Sequence, residues 1–577
     1  MMKNKKIIRK EIQLDNKLSS LPILLQRIYQ ARGVTEPSEL ETDLKQLLSF
    51  NTLKDIDKAV ARLYQALLNQ QKILIVGDFD ADGATSTALA VTALRALGFQ
   101  QVNFLVPNRF EQGYGLSVDI VREAAELQPD LIITVDNGIA SIEGIDEANR
   151  LGIDVIVTDH HLSPDELPKA VAIVNPNQAD CAFPSKAIAG VGVIFYVMLA
   201  LRRHLVNQRY FEQHAVPAPN MASFLDLVAL GTVADVVPLD KNNRALVSQG
   251  VARIRAGKSR PGIQALIRVA KRDPSVLQAM DLGFTVGPRL NAAGRLDDMS
   301  LGIECLITDN EQLALELAST LDELNVERRQ IESEMKQDAF KVIQSLHLKE
   351  SSMPLGLCLY DPAWHQGVIG IVAGRLKEQF HRPAIVFAEG DALTIKGSAR
   401  SISGVHIRDV LDVISKQPGQ LIDKFGGHAM AAGLTIQKSK LAAFKQAFEQ
   451  ELANHMSAED CIGKLYSDGA LQETDFSLAT ATLLEQAGPW GQAFPRPLFD
   501  NEFELIDQRL LGGKHLKMSL KPAGSSQLLD AIAFNVAEGE WPNHRARKIH
   551  CAYYLDVNRY QGRSRLQLMV EHLEPVS

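Results

Sequence analysis

A regular alternation of short apolar runs and helical runs over the first two hundred residues constrains the fold most. The apolar runs are rich in β-branched residues, and they occupy Lys72–Asp78, Val102–Val106, Leu131–Gly138, Ile153–His161 and Ala172–Pro176. Continuous apolar strands separated by helices are typical of a parallel sheet that helices cover on both faces. The pattern therefore predicts an α/β domain with a parallel sheet.

Three of these predicted strands run directly into acidic residues or histidines. The first ends at Asp78, the third at Asp136, and the fourth at Asp159 with His160 and His161. Open parallel sheets bind ligands beyond the carboxyl ends of their strands. We therefore expect the functional site at this edge of the sheet.

The rest of the chain divides into further segments, because 577 residues are too many for one hydrophobic core. Residues between Gly302 and Pro354 include no glycine or proline, which indicates a long helix. An α/β pattern then resumes, and short strands with turns follow it. The predicted boundaries are an N-terminal extension (1–50), a first α/β domain (51–302), a connecting helix (303–353), a second α/β domain (354–456) and a β-barrel module of OB type (457–577).

The composition predicts a cytoplasmic protein without a membrane span. The longest uncharged apolar run, Ala187–Leu201, has 15 residues and suits a buried helix better than a bilayer crossing. The N-terminal basic residues precede no apolar segment of a secretory signal. The five cysteines are scattered and form no CxxC pair, as in a reduced protein without a zinc–thiolate site.

The net charge of −8 does not by itself indicate nucleic-acid binding, but two local stretches are basic. Val251–Arg272 contains seven basic residues and no acidic one, and Arg545–Arg565 interleaves arginines with Tyr553, Tyr554 and Tyr560. Basic residues with exposed tyrosines are typical of a groove for single strands. A solvated helical face and packed tyrosines are the alternatives, which the sequence leaves open.

Asp78, Asp80 and Asp82 lie at alternate positions just past the first strand. Three carboxylates this close repel one another unless a cation compensates them. A calcium loop would need a glutamate at its twelfth position, where this chain has Leu89. A solvated acidic turn is disfavoured because the turn joins a buried strand to a buried helix. The turn is therefore a predicted metal site.

Further ligands of the same kind follow along the chain. Asp136 and His160 end neighbouring strands, and Asp235 interrupts an otherwise apolar run, although a lone aspartate there could merely cap a helix. Carboxylates with one imidazole and no thiolate favour Mg²⁺ or Mn²⁺ over structural zinc. A pair of such ions would activate water for attack on a phosphodiester.

The four segments Asp78–Gly83, Asp136–Gly138, Asp159–His161 and Gly231–Asp235 resemble, in order and spacing, the motifs of the DHH phosphoesterases. The resemblance implies that two Mg²⁺ or Mn²⁺ ions are held by Asp80, Asp82, Asp136, His160 and Asp235, with Asp136 bridging. It also implies that Asp78 and Asp159 act as ligands or orient the others. His161 would contact the scissile phosphate.

Further motifs along the chain indicate which branch of the DHH family it resembles. Gly367–Leu376, Lys396–Ser401 and Phe425–Gly433 are similar to the DHHA1 domain that closes over DHH active sites, although glycine-rich loops can be simple tight turns. Pro107–Gly115, Gly283–Asp298 and the C-terminal module are similar to the branch that degrades single-stranded DNA. The substrate contacts implied are Arg109, Tyr114, Arg289, Asn291, Arg295, Arg375, Ser398, Arg400, Gly427 and His428. Of these, Arg109, Ser398 and Arg400 would hold the 5′ phosphate.

The predicted function is a 5′→3′ exonuclease on single-stranded DNA in recombination and repair. The alternatives are a DHH phosphodiesterase or phosphatase on short oligonucleotides or small phosphates, and a catalytically dead scaffold. The barrel module and the basic stretches favour a polymer substrate, and none of the predicted ligands is missing. The resemblance further implies a monomer, with a single-strand-binding protein and a RecQ-type helicase as partners.

Overall fold

The structure, a computed structural model, describes residues 5–12, 16–108, 115–345, 353–536 and 541–576. These residues form two α/β domains joined by a long helix, with a closed β-barrel at the C-terminal end. This confirms the predicted fold class. Within the described residues, no helix is both long and apolar enough to cross a membrane.

Among the described residues, a strand and two α-helices precede the first sheet. They are β1 (Lys5–Arg9), α1 (Ile23–Gln30) and α2 (Ile56–Leu68). The strand β1 pairs outside the first sheet, while α1 and α2 contribute buried residues to the core that the first domain shares with the C-terminal module.

The first domain contains a five-stranded parallel sheet in the order β3-β2-β4-β5-β6. Its strands are β2 (Ile73–Gly77), β3 (Val102–Leu105), β4 (Leu131–Val135), β5 (Asp154–Thr158) and β6 (Ala172–Val174). Gly77 pairs with Val135, and Val135 pairs with Thr158, so three neighbouring strands end level with one another. The residues that follow these strands therefore meet at one edge of the sheet.

Helices cover both faces of this sheet, as its apolar strands predict. Helices α4 and α5 pack on one face, and α3 and α6 pack on the other. The helices of the domain after α2 are α3 (Ala81–Ala96), α4 (Val118–Glu126), α5 (Ile142–Arg150), α6 (Gly190–Asn207), α7 (Tyr210–Gln213), α8 (Leu225–Ala234), α9 (Lys241–Arg255), α10 (Pro261–Val269), α11 (Ala279–Asp281), α12 (Gly287–Leu296) and α13 (Ser300–Ile307). Most of α6 is buried, which agrees with the buried helix predicted for its apolar run. Between α11 and α12 the residues Leu282–Val286 form a π-helical turn.

The connecting helix α14 (Glu311–Ser345) is 35 residues long and packs against both α/β domains. It begins later than the predicted boundary at 303, because Thr308 is extended and ends α13. The side chain of Asn310 then accepts hydrogen bonds from the backbone N–H groups of Gln312 and Leu313, which caps the new helix.

The second domain is built on a mixed five-stranded sheet in the order β10-β11-β9-β8-β7. Its elements are β7 (Leu357–Tyr360), α15 (Ile369–Phe380), β8 (Ala384–Glu389), β9 (Thr394–Arg400), α16 (Ile407–Ser415), β10 (Lys424–Gly427), β11 (Ala431–Gln437) and α17 (Leu441–Leu452). Strands β7 and β8 are parallel, and the other neighbours are antiparallel.

In its described residues, the C-terminal module contains one strand, one α-helix and a closed five-stranded barrel. Its elements are β12 (Gly463–Ser467), α18 (Leu478–Gln486), β13 (Phe499–Leu511), β14 (His515–Pro522), β15 (Leu529–Ala533), β16 (Lys548–Tyr560) and β17 (Arg563–Pro575). The N-terminal strand β1 pairs in parallel with β12. Arg9 and His550 then converge on the buried carboxylate of Asp500, which ties the N-terminal strand to the barrel.

The three tyrosines of the basic C-terminal stretch differ in exposure. For Tyr553 the packed alternative holds, because its side chain is fully buried in the barrel and donates a hydrogen bond to Asn501 Oδ1 (2.7 Å). Its side chain points inward because alternate residues of β16 face the barrel core. Tyr554 is partly buried beneath Arg496, whereas Tyr560 is exposed.

Candidate metal centre

The strand-end residues of the first sheet converge on the imidazole of His160. Its Nε2 atom lies 3.0 Å from Asp136 Oδ1, 3.5 Å from Asp235 Oδ2 and 3.9 Å from Asp82 Oδ2. Asp235 comes from the C-terminal end of α8 rather than from a strand. A helix end therefore completes a site that the sheet begins.

Potential ligand atoms form three overlapping groups, in each of which the atoms lie within 4.8 Å of one another. The groups are Asp136 with His160 and His161, Asp82 with His160 and Asp235, and Asp78 with Asp80 and Asp136. All five predicted ligands belong to these groups, and Asp136 belongs to two of them. Asp159 belongs to none.

Burial and mutual repulsion raise the pKa of the clustered carboxyl groups. The pKa of Asp82 and that of Asp136 are well above the usual range, first through burial and then through neighbouring carboxylates. Burial and the charge of Asp80 raise the pKa of Asp235 to about 7. Anionic groups held together in this way need a cation to stay ionised.

The donor set fits a hard divalent ion. Burial lowers the pKa of His160 to about 4, so its ring is neutral near pH 7 and has a lone pair for a metal. Its buried Nε2 and the buried Asp235 Oδ2 make no hydrogen bond. Several carboxylates and one neutral imidazole are the ligands that Mn²⁺ and Mg²⁺ take.

Asp159 orients the second histidine. One carboxylate oxygen, Oδ1, accepts hydrogen bonds from the backbone N–H of His160 (2.7 Å) and of His161 (3.1 Å), and it lies 2.7 Å from His161 Nδ1. The other oxygen accepts from the N–H of Ile139 (2.9 Å). Burial opposes the charge of both partners, yet their pairing lowers the pKa of Asp159 and raises that of His161 to about 9.

The acidic turn is held by backbone N–H groups. Asp80 caps α3, because its Oδ1 accepts from the N–H groups of Asp82 (2.9 Å) and Gly83 (3.0 Å). Asp82 in turn accepts from the N–H groups of Gly190 (2.7 Å) and Val191 (3.0 Å) at the start of α6. A carboxylate oxygen has a second lone pair, so these bonds leave Asp82 able to bind a metal.

Sequence reasoning missed two residues that shape this site. A Cβ atom on Gly190 would lie 2.7 Å from Asp136 Cβ and Oδ1, so only glycine lets α6 approach the ligand. Asp136 itself has a positive φ of 63°. Asn137 supports this strained backbone by donating from its side chain to the carbonyls of Val76 (3.1 Å) and Val135 (2.9 Å). The position of Asn137 in the second motif was a usable signal, whereas nothing local marked Gly190.

The second domain closes over this cluster. The ring of His428 stacks on that of His161, with centroids 5.9 Å apart and an interplanar angle of 21°. Arg295 of α12 donates from Nη1 to the carbonyl of Gly367 (3.1 Å) in the second domain. The two halves of the predicted site are therefore in contact.

The predicted phosphate contacts of the second domain share one place beside α15. Arg400 donates from Nη1 to Ser398 Oγ (3.0 Å), and a Cβ atom on Gly370 would lie 2.9 Å from Arg400 Nη2 and from Ser398 Oγ. Only glycine therefore lets α15 approach both side chains this closely. Gly427, with a φ of 143°, allows the turn that carries His428.

Three other predicted substrate contacts have partners within the protein. Asn291 Oδ1 accepts from the N–H of Ala81 (2.8 Å) and so supports the acidic turn. Arg289 pairs with Asp322 (2.8 Å), and Arg375 pairs with Glu332 (2.8 Å), both on α14.

Predicted contacts also fall on residues that the structure leaves undescribed. Arg109 and Tyr114 lie outside the described residues. In the basic stretch of the first domain, Arg260 pairs with the buried Asp226 (3.1 Å), so this arginine stabilises the fold.

Comparison with known families and proteins identifies the relatives of the chain. The family model of the DHH family, N-terminal domain, matches residues 72–232, the DHHA1 domain matches 354–454, and the RecJ OB domain matches 467–572. The single-stranded-DNA-specific exonuclease RecJ of Dickeya dadantii is 53% identical over 557 residues, which cover 96% of this chain and 97% of that protein. The chain belongs to the RecJ family.

Other RecJ proteins support the same assignment. RecJ of Escherichia coli strain K12 is 52% identical over 559 residues, 97% of each chain. The crystal structure of RecJ in complex with Mn²⁺ from Thermus thermophilus has a TM-score of 0.80 and 28% identity, over all of this chain and 80% of that one. The corresponding Mg²⁺ complex has a TM-score of 0.75 and 28% identity, over all of this chain and 79% of that one.

Proposed function

We propose that this chain is a metal-dependent exonuclease that degrades single-stranded DNA in the 5′→3′ direction, in recombination and repair. The buried cluster around His160, facing His428 of the second domain, carries the proposal. It is supported by the RecJ relatives, which are named as single-stranded-DNA-specific exonucleases, and by their Mn²⁺ and Mg²⁺ complexes.

The proposed ligands of two Mg²⁺ or Mn²⁺ ions are Asp80, Asp82, Asp136, His160 and Asp235, with Asp136 as the bridge and Asp78 as a further ligand. Bound there, the ions would supply an activated water and neutralise charge on the scissile phosphate. His161 would donate to that phosphate, because its raised pKa keeps the ring protonated near pH 7. Asp159 is a positioning residue, since its carboxylate orients His161.

Ser398 and Arg400 are proposed to bind the 5′-terminal phosphate, with Arg109 from the first domain. A guanidinium fork can bind two phosphate oxygens at once, and the side chain of Arg400 is only partly buried. Arg400→Ala should therefore remove the preference for 5′-phosphorylated over 5′-hydroxyl strands. Arg203→Ala, which removes an exposed arginine from α6, is the matched control. An unchanged preference in Arg400→Ala would move the pocket elsewhere.

The remaining proposed strand contacts are Tyr114, Arg289, Asn291, Arg295, Arg375, Gly427 and His428. Arg295 and His428 lie at the contact between the two α/β domains, which favours a strand running between them. Arg289 and Arg375 line a basic cavity beside α14. Asn291 is proposed to act through the acidic turn rather than by contacting DNA.

The decisive experiment supplies end-labelled single-stranded DNA, duplex DNA and short RNA to the purified protein with Mn²⁺ or Mg²⁺. Single-stranded DNA should be shortened from its 5′ end, and chelation should stop the reaction. Cleavage confined to dinucleotides or small phosphates would instead support the small-substrate phosphodiesterase. The barrel argues against that alternative, because such an activity needs only the two α/β domains.

We further propose a monomer in the cytoplasm, with a single-strand-binding protein and a RecQ-type helicase as partners. The proposed domain boundaries are 51–302, 354–456 and 457–577, with a connecting segment at 303–353 that contains α14 and an N-terminal extension at 1–50. The three family matches fall inside these boundaries. The barrel is proposed to bind DNA, so deleting it should weaken binding of long strands and reduce the salt dependence of binding.

A further inference from the structure

Phe284 is the most exposed of the large apolar side chains in the described part of the chain. Its side chain is 81% exposed, although the first and last residues of the π-helical turn, Leu282 and Val286, are fully buried. π-helical turns are uncommon and are frequent at functional sites. Leu282 and Val286 therefore fix the turn in the core, while the ring of Phe284 is exposed to solvent.

The ring stands where two cavities meet. Phe284 lines both a cavity of about 920 Å³ beside α14 and α15 and a cavity of about 710 Å³ between the first domain and the barrel. Among the described residues, the larger cavity is lined by seven lysines or arginines and by two glutamates, and five of the basic side chains also form ion pairs within the protein. Such a charge excess suits a phosphate chain.

The same segment reaches the metal centre. A Cβ atom on Gly283 would lie 3.0 Å from Val233 Cγ1, and one on Gly287 would lie 3.1 Å from Ala234 Cβ, so the turn packs closely on the end of α8. Asp235 follows directly on that helix. Farther along α12, Asn291 supports the acidic turn. Phe284 is therefore attached to the elements that hold the ligands, and it faces away from them into the basic cavity.

We propose that Phe284 stacks on a base of the bound strand and guides it from the barrel side towards the metal centre. This inference rests on the proposed exonuclease function. An aromatic ring amid basic side chains recognises single strands of any sequence, because every base has a flat face and the phosphates are neutralised nearby. Paired bases inside a duplex keep their faces stacked on one another, so the contact also favours single strands.

Phe284→Trp allows the stacking to be observed directly. The chain has three tryptophans, Trp364, Trp490 and Trp541, and each is 7% exposed or less. A tryptophan at position 284 would be the exposed one. The intact protein is titrated with oligothymidylates of increasing length in EDTA, which prevents cleavage, while the anisotropy of a labelled strand reports binding independently.

Tryptophan emission should fall as strands long enough to reach position 284 saturate the protein. Shorter strands should bind without quenching, and blunt duplex should leave the emission unchanged. Leu393→Trp is the matched control, because Leu393 is 71% exposed on a turn of the second domain and lines neither cavity. Its emission should not respond. Saturable binding of long strands without any change at position 284 would overturn the proposal.

Kinetics provide a second, independent readout. Phe284→Ala should raise KM for long strands about 5- to 150-fold, the range expected for loss of one stacked base, with kcat on dinucleotides unchanged. Phe284→Tyr should restore KM. A wild-type KM for long strands in Phe284→Ala would refute the stacking role. If the wild-type protein itself fails to degrade single strands, the exonuclease proposal fails instead.

Discussion

Replacing Gly190 with alanine should damage the metal centre without removing any ligand. The added Cβ would lie 2.7 Å from Cβ and Oδ1 of Asp136, whereas ordinary contacts begin at 3.4 Å. Either Asp136 or the start of α6 must therefore move by about 0.7 Å. The second choice weakens the two N–H bonds that Asp82 receives from Gly190 and Val191. Both choices displace a proposed ligand.

The magnitude follows from the displacement. A misplacement of about 1 Å in a catalytic group can cost roughly 100-fold in rate. We therefore expect Gly190→Ala to lower kcat/KM on single-stranded DNA by about 10- to 100-fold, or about 1.4–2.7 kcal/mol in the barrier. Mn²⁺ affinity should fall as well. Overpacking should lower the stability of the metal-free protein by about 1–3 kcal/mol.

Calorimetric titration with Mn²⁺, steady-state degradation of a labelled strand and thermal unfolding in EDTA together test this prediction. Gly374→Ala is the matched control, because a Cβ atom at this helical position of α15 meets nothing within 4 Å. It should leave metal binding and turnover unchanged and stabilise the fold by roughly 0.5–1 kcal/mol. Wild-type Mn²⁺ affinity and turnover in Gly190→Ala would refute the reasoning.

Three further predictions follow from the same structure. Asp159→Asn should lower kcat while largely preserving Mn²⁺ affinity, because this residue orients His161 and belongs to no ligand group. Calorimetry and steady-state kinetics measure the two effects, and a loss of Mn²⁺ affinity would make Asp159 a ligand. Excess Mn²⁺ should raise the melting temperature, since about 100 Kd of ligand stabilises by about 2.7 kcal/mol, and Asp136→Ala should abolish this rise. The N-terminal junction should be most stable between about pH 4 and 6.5. Burial favours the neutral form of Asp500, but hydrogen bonds from His550, Arg9 and Ser467 outweigh burial and lower its pKa. The stability that the ionised Asp500 contributes is therefore lost as pH falls through that lowered pKa. The hydrogen bond to Asp500 raises the pKa of His550. The stability that the protonated His550 contributes is therefore lost as pH rises through that raised pKa. Hydrogen exchange in β1 measures this dependence, and an equally strong dependence in Asp500→Asn would contradict it.

The sequence alone determined the parallel sheet and the edge at which its chemistry lies. Strand periodicity and the residues just past each strand are local features, and parallel pairing brings such positions together whatever the surrounding packing. In the structure Gly77, Val135 and Thr158 end their strands level with one another, as expected. The residues that follow them, Asp78, Asp136 and Asp159, could therefore be assigned to one site from the sequence.

Only the tertiary structure decided which of the more distant residues join that site. Asp235 reaches it from a helix end, His428 reaches it from the second domain, and Gly190 is required solely because α6 passes close to Asp136. Tyr553 is buried because barrel closure determines which face of β16 lies inside. These outcomes depend on contacts between residues far apart along the chain, which no local pattern of residue types encodes.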